Sequence, residues 1–430
     1  MSSKIIITSI NIAEKDVLLC GLIENDLLAE VHLERMNVLP DADFARNHGN
    51  LSDAGGGCTI GSDTPVLGNI YVGKVHRVLT NINAAFVETA PGVFCYLPLE
   101  SVKNPVYVKK TPAKKIAAQD ELLVQVQKEA VKTKVPTVST NLNLTGRYVV
   151  LTTENTTIGI SSRLDKPARA HYRELLENCV TGEFGIIVRT NAKNAADEEI
   201  LSEINQLADQ MRHMISCAQN RTCFACVHRA VPKYLAFLRN AHPETLDEIV
   251  TDLPQIFDEV SGYCGQYRDM EKISLRLYDD PMFSLANLYN LNKQMMRATQ
   301  KNIRLKSGGF LVIEPTEALT VIDVNTGKSI SGKDPQKHFR QINLEASKEI
   351  ARQLRLRNIS GIIIIDYIDM ESKEDQQELL DFLKKQVRPD PVPVRVHDIT
   401  SLNLVEVTRK KVEKSLLEQV KSLDVSKKLC

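Results

Sequence analysis

Two short apolar runs that carry carboxylates constrain this chain more than any other feature: Val321-Ile322-Asp323-Val324-Asn325-Thr326 and Gly361-Ile362-Ile363-Ile364-Ile365-Asp366-Tyr367-Ile368-Asp369-Met370. Each is short, β-branched and bounded by Gly, Asn or polar residues, which predicts a buried sheet strand and not a helix. Side chains alternate along a strand, so Val321, Asp323 and Asn325 share one face of the first, and Ile364, Asp366 and Ile368 one face of the second. On a regular strand Asp369 falls on the opposite face, as a supporting or structural group. Two anionic side chains on a rigid floor can converge, and a small set of hard oxygen ligands suits Mg²⁺, which keeps most of its waters and bridges to phosphate oxygens. The competing reading is that each Asp only forms a turn at a strand end, which Asp does often.

At 430 residues the chain exceeds one ordinary core and predicts two or more domains. Lys plus Arg and Asp plus Glu number 54 each, giving a formal net charge of zero. Bulk charge therefore cannot draw in nucleic acid, and any such site has to be a local basic patch. Candidates are Lys109, Lys110, Lys114 and Lys115; Lys301, Arg304 and Lys306; Arg352, Arg355 and Arg357; and Arg409, Lys410, Lys411 and Lys414. From the residues alone, the better reading of each is a solvated face. No run approaches the roughly 20 apolar residues of a membrane span. The opening KIIITSINIAEKDVLLC has the alternation and internal charges of a strand and not of a signal peptide. The expectation is a soluble cytoplasmic protein with no membrane partner. Nine cysteines without regular spacing predict reduced thiols and no disulfide framework.

Strand spacing also predicts a small β-barrel from Gly68 onward, through NIYVGKVHRVL, AAFVET, VFCYLPL and ELLVQVQKEA. The Gly- and Asp-rich stretch before it reads as a loop. Residues 195–218 have helical periodicity. Cys223-Phe224-Ala225-Cys226, with Cys217 and His228 close by, raises zinc, but a lone Cys-x-x-Cys pair lacks the second pair of a closed site, and Cys223 to His228 reads as a short strand. In NLEASKEIARQLRLRN, Leu344, Ala351 and Leu354 mark a buried helix face. Arg352 and Arg355 point elsewhere, toward a nucleic-acid backbone or toward solvent.

The run from Ser307 to Met370, with SGGFLVIEPTEALTVIDVNTGK, NLEASKEIARQLRLRNI and GIIIIDYIDM, resembles the catalytic region of the ribonuclease E/G family of bacterial endoribonucleases, and the likeness covers nearly all of the chain. It implies an α+β multidomain fold. A ribonuclease H-like subdomain (1–38, returning at 235–301) would hold an inserted S1-type barrel of the oligonucleotide-binding fold (67–146) after a flexible loop (39–66), and a 5′-sensor region (147–234). A DNase I-like α/β catalytic subdomain (302–413) and a C-terminal tail (414–430) would follow.

By the same resemblance Asp323 and Asp366 hold a catalytic Mg²⁺, and Asn325 positions the attacking water or an Asp. Phe86 and Tyr96 stack on bases of single-stranded RNA beside the basic Lys134. Either ring could instead be barrel core, and Phe94, on the face of Tyr96, is ambiguous. Arg189 and Thr190 align with the family's 5′-monophosphate sensor, with Val150 beneath the terminal nucleotide. A guanidinium beside a hydroxyl suits a phosphate monoester, although the pair would also pass for an ordinary strand end. Ser162 precedes Arg163 where the family often draws on an Arg. Asn403 stands where Gly is usual, and Ser401 where a basic residue is common.

The implied activity is Mg²⁺-dependent cleavage of single-stranded, A/U-rich RNA with a preference for 5′-monophosphate ends, leaving 5′-phosphate and 3′-hydroxyl products, in RNA processing and decay. The alternatives are an RNA-binding relative that has lost cleavage, or a metal-dependent phosphodiesterase acting on DNA or small nucleotides. Family members usually continue after TRKK into a Cys-Pro-x-Cys segment that shares zinc between chains. Two ends like Cys430 supply only two thiolates, so a zinc-linked tetramer is disfavoured and a homodimer is the candidate assembly.

Overall fold

The structure, a computed structural model, describes residues 3–12, 14–35, 65–130, 134–177, 182–327 and 335–424. Nearly all of the expected 39–66 loop lies outside the described residues. The chain forms two compact units: residues 1–38, 243–262 and 273–430, and residues 39–242 and 263–272.

The first unit holds two sheets. In one, Ser3–Ile12, Lys15–Glu24 and Leu27–Arg35 form an antiparallel meander, and Glu248–Thr251 and Ser274–Leu277 add in parallel beyond its first strand. The second hairpin turns through Asn25 and Asp26, both at positive φ (49° and 64°), the two-residue turn whose twist matches antiparallel strands. The other sheet has six strands in the order Asn302–Arg304, Phe310–Pro315, Leu319–Asn325, Gly361–Asp366, Leu404–Arg409, Val394–Ile399. Only its third and fourth neighbours run parallel, and the helix Pro335–Leu356 lies between them in the chain.

Ile322, Val324, Ile363 and Ile365 bury one face of that sheet against Ile342, Ala346, Ile350 and Leu354 of this helix and Leu380 and Leu383 of the helix Lys373–Val387. Each of the Ile, Val and Leu side chains among them contributes about 1.5–3 kcal/mol on burial. The two carboxylate-bearing strands are thus buried on one face and not on both. Ile362 is 51% exposed, and Val321 and Ile364 are half-buried. The continuous apolar runs imitate a two-sided strand, while the antiparallel neighbours leave the Asp-bearing face open.

The helix also departs from its expected face. Ala351 and Leu354 are buried, Leu344 is only half-buried, and the polar Asn343 and Ser347 are fully buried. Two of its arginines have partners within the protein. Arg355 pairs with Glu24 (2.7 Å) and Glu30 (3.1 Å), and Arg352 with Glu349 and the carbonyl of Leu28. Two other candidate patches lose members in the same way: Arg409 is buried against Asp390, and Lys110 binds the fully buried Asp120. Part of each of these clusters is thus taken up in ion pairs with carboxylates from outside the cluster.

In the second unit the strands Ile70–Leu79, Ala84–Ala90, Val93–Pro98, Thr137–Ser139 and Glu121–Lys128 close into a five-stranded barrel, because the first also pairs with the last. Val75, Ala85, Val87, Cys95, Leu97, Leu122, Val124 and Val138 fill it. Gly73 permits the closure: a Cβ there would stand 2.5 Å from Val87 and 2.8 Å from Val124. Cys226–His228 forms a short strand on the barrel's edge. A small sheet follows, in the order Asn143–Thr145, Val149–Thr152, Gly185–Val188, Ile158–Ile160, and the long helix Asp197–Ala218 packs on it. Asp197, Glu198 and Glu199 in the first turn of that helix complement its dipole. The helix Lys233–Asn240 also belongs to this unit.

Candidate active site

Asp323 and Asp366 stand directly opposite each other in the parallel register of their strands. Both point to the open face, since Ile322, Val324 and Ile365 occupy the core. Asn325 lies two residues on, on the same face, and its amide donates to Asp323 Oδ2 at 2.7 Å, which fixes the orientation of that carboxylate. Partial burial raises the pKa of Asp366 above the ordinary carboxylate value, and the neighbouring charges of Asp323 and Asp369 raise it further. The pair is therefore a local excess of negative charge. Among the described residues no three His, Cys, Asp or Glu side chains form a complete metal cage. Two carboxylates on an open face nevertheless fit a cation that takes few protein ligands and keeps its waters.

Asp369 escapes the alternation argument because the strand ends at Asp366, and Tyr367–Met370 form a loop. That loop is held at both ends by side chains that no periodicity reveals. Fully buried Asn343 donates to Ile368 O (2.8 Å) and accepts from Ile368 N–H (3.1 Å), and Ser347 shares a hydrogen bond with the Tyr367 hydroxyl (2.8 Å). Asn403 donates to Asp369 Oδ1 at 3.1 Å. Asn403 sits at φ 61°, the left-handed region where Asn is the best substitute for Gly, which explains its presence at that turn.

On the barrel, Phe86 and Tyr96 are a cross-strand pair, with ring centroids 6.2 Å apart in edge-to-face contact. Both are half-buried, while the residues flanking them, Ala85, Val87, Cys95 and Leu97, are the interior. The barrel-core alternative for the two rings therefore fails. Phe94 shares their outer face and stacks edge-on with His76 at 5.0 Å. Lys134 is exposed, two residues before Pro136, whose carbonyl accepts the Tyr96 N–H at 2.8 Å.

In the small sheet, Val150 and Ile187 stand opposite each other on the face away from the core residues Val149 and Val188. Arg189 follows, its N–H bonded to Tyr148 O. Its guanidinium donates to Gly146 O (2.6 Å), Arg147 O (3.2 Å) and Asn240 Oδ1 (2.6 Å). Burial, and then the charge of Arg239, lower its pKa to about 10. The Thr190 hydroxyl meets Ser161 Oγ at 3.0 Å, which also accepts the Arg163 N–H. Arg239, Asn240 and Ser161 carry no motif of their own and are legible only once the strands are assembled. Cys226 Sγ lies against His228 O at 3.4 Å, and Cys217 Sγ against His213.

A model of the Ribonuclease E/G family matches residues 143–412, a span that takes in Arg189, Asp323, Asn325 and Asp366. The chain belongs to the ribonuclease E/G family. It is 33% identical over 359 residues to the ribonuclease E of a Nostoc species, covering 82% of this chain and 52% of that protein. It is 32% identical over 363 residues to the ribonuclease E of a Synechocystis species, covering 82% and 53%. To the ribonuclease G of Haemophilus influenzae it is 29% identical over 409 residues, covering 92% and 78%. The chain thus spans about half the length of these two ribonuclease E proteins. No helix among the described residues is long and apolar enough to cross a membrane.

Proposed function

We propose that this chain is an endoribonuclease that cuts single-stranded RNA with a divalent cation, Mg²⁺, held by Asp323 and Asp366. The observation that carries this is the register pairing of those two carboxylates on an open sheet face in a member of the ribonuclease E/G family. A bound Mg²⁺ would supply a Lewis acid and a more acidic water at neutral pH. The protein's own part is positioning: Asn325 aligns the Asp323 carboxylate, and Asn343 and Ser347 steady the loop behind Asp366. Preference for A/U-rich segments and for 5′-monophosphate ends, products with 5′-phosphate and 3′-hydroxyl termini, action in RNA processing and decay, a cytoplasmic setting and the subdomain assignments to ribonuclease H-like and DNase I-like folds all rest on the family resemblance. Arg189, Thr190 and Val150 are the proposed sensor of the terminal phosphate.

The first test compares a 5′-monophosphorylated A/U-rich oligonucleotide with the same sequence in a duplex. Internal cuts in the single strand only are expected. Tight binding without any cut would point to a relative that binds RNA and no longer cleaves it.

Capture of the strand is proposed to use Phe86, Tyr96 and Lys134. Base stacking on an aromatic ring contributes about 1–3 kcal/mol per base, so Phe86→Ala is expected to weaken binding of single-stranded RNA roughly tenfold. Because Phe86 lies on the outer face of the barrel, the unfolding midpoint should hardly move. Fluorescence anisotropy and a thermal melt on the same sample check both halves; a large drop in melting temperature with unchanged affinity would return Phe86 to a packing role.

A further inference from the structure

Three guanidiniums gather at the end of the small sheet, and two carboxylates are at hand to balance them. Arg147, fully buried, takes Asp269 in a two-pronged pair (Nη2 at 2.7 Å, Nε at 3.0 Å). Glu203 is committed elsewhere: its oxygens accept the backbone N–H groups of Arg147 (2.7 Å), Tyr148 (2.8 Å) and Val149 (2.9 Å). Arg189 and Arg239 then have only neutral acceptors. Arg239 Nη1 donates to Thr145 O at 2.7 Å, and Arg189 Nη1 to Gly146 O at 2.6 Å, so the two guanidiniums ride on consecutive carbonyls of one strand end. Arg239 Nε is buried with no hydrogen-bond partner. Among the described residues neither arginine forms an ion pair with a carboxylate, although the charge of Glu203 reaches both. Burial depresses both pKa values, and Arg239 adds to the depression at Arg189.

Buried charge of one sign without a counter-charge is costly, and a fold retains it where something else supplies the balance. A phosphate monoester has the matching charge and enough oxygens to accept from two planar forks at once. The way in is the solvent side of Arg189, where Nη2 donates to the exposed Asn240 amide oxygen, a neutral acceptor that an anionic oxygen can displace. Asn191 holds the same helix end by donating to Arg239 O at 3.0 Å.

We propose that Arg239 is the second arginine of a terminal-phosphate pocket, acting with Arg189 on the 5′-monophosphate of the RNA and exchanging the Asn240 contact for it. This rests on the sensor reading given above. Thr190 and Ser161, beside Arg189, complete a polar rim.

The test uses the whole chain in EDTA, so that nothing is cut, and measures the affinity ratio between a 5′-monophosphorylated and a 5′-hydroxyl single-stranded oligonucleotide. Wild type should favour the phosphate by about tenfold, the scale of a charge-assisted bond. Arg239→Gln should bring the ratio to within about twofold of one, with the loss falling on the phosphorylated strand. Arg239→Lys, which keeps the charge and loses the fork, decides the matter if Arg239→Gln does not fold: its ratio should drop at least about threefold. A wild-type preference that survives unchanged in a folded Arg239 variant overturns the proposal and leaves Arg189 as the sensor. Equal losses on both strands overturn it as well, by making Arg239 structural. Equal wild-type affinities would sink the sensor reading itself, and this pocket with it.

Discussion

Replacing Asp323 or Asp366 by Asn is expected to lower cleavage roughly a thousandfold or more, because each change removes one of two charges available to hold the cation and stabilise charge on the scissile phosphate. RNA binding should persist, since the barrel aromatics belong to the other compact unit. The Asp366 variant should also remain folded. The native state binds the Asp366 proton more tightly than an ordinary carboxylate does, because burial and then Asp323 and Asp369 disfavour its charge. Such a group adds stability only as pH falls toward its raised pKa, and at neutral pH its ionised form costs stability. Asp366→Asn removes that charge, so its unfolding midpoint at pH 7 should match or exceed wild type. A melt and a rate measurement on the same preparation separate chemistry from folding; near wild-type turnover in either variant would remove the acid pair from the mechanism.

The largest expected effect on stability belongs to the other compact unit. Arg147 is fully inaccessible and pairs with Asp269, and the backbone of residues 147–149 hangs on Glu203. Asp269→Ala leaves a buried guanidinium without its partner, which costs about 3–5 kcal/mol in comparable buried pairs. Because Arg147 also donates to Leu238 O at 3.3 Å, the loss should spread to the helix Lys233–Asn240 and so to the proposed phosphate pocket. Urea unfolding, with hydrogen exchange at residues 145–149, reports both effects. A midpoint within the error of wild type would mean that solvent reaches Arg147 readily and that the pair carries little.

What was legible in the sequence followed from local periodicity. The β-branched runs around Asp323 and Asp366 announced strands with their carboxylates on one face, and the spacing of short strands such as AAFVET and VFCYLPL announced the barrel; both sets formed as strands. Two extrapolations from the same rules failed. Alternation gives Asp369 a face of a strand that in fact ends at Asp366, and Arg352 and Arg355, expected to face an RNA backbone or solvent, are instead engaged by Glu349 and by Glu24 and Glu30. The partners of Arg355 are out of reach of any spacing argument, because Glu24 and Glu30 come from the second hairpin, at the other end of the chain. Buried polar groups were invisible for the same reason. Asn343, Ser347, Glu203 and Arg147 sit on faces that hydrophobic periodicity reads as apolar or exposed, and only the assembled fold shows the backbone groups they satisfy. The convergence of Arg189, Arg239 and Asn240 is likewise a product of a strand end meeting a helix end some fifty residues later.

The most direct measurement is a time course of wild-type protein with a 5′-monophosphorylated single-stranded RNA, in Mg²⁺ and in EDTA, with the termini of the products identified by mass. The acid pair predicts internal cuts in Mg²⁺ alone, each leaving a 5′-phosphate and a 3′-hydroxyl, and almost none in EDTA. Cleavage that continues in EDTA, or products ending in a 2′,3′-cyclic phosphate, would contradict a metal held by Asp323 and Asp366.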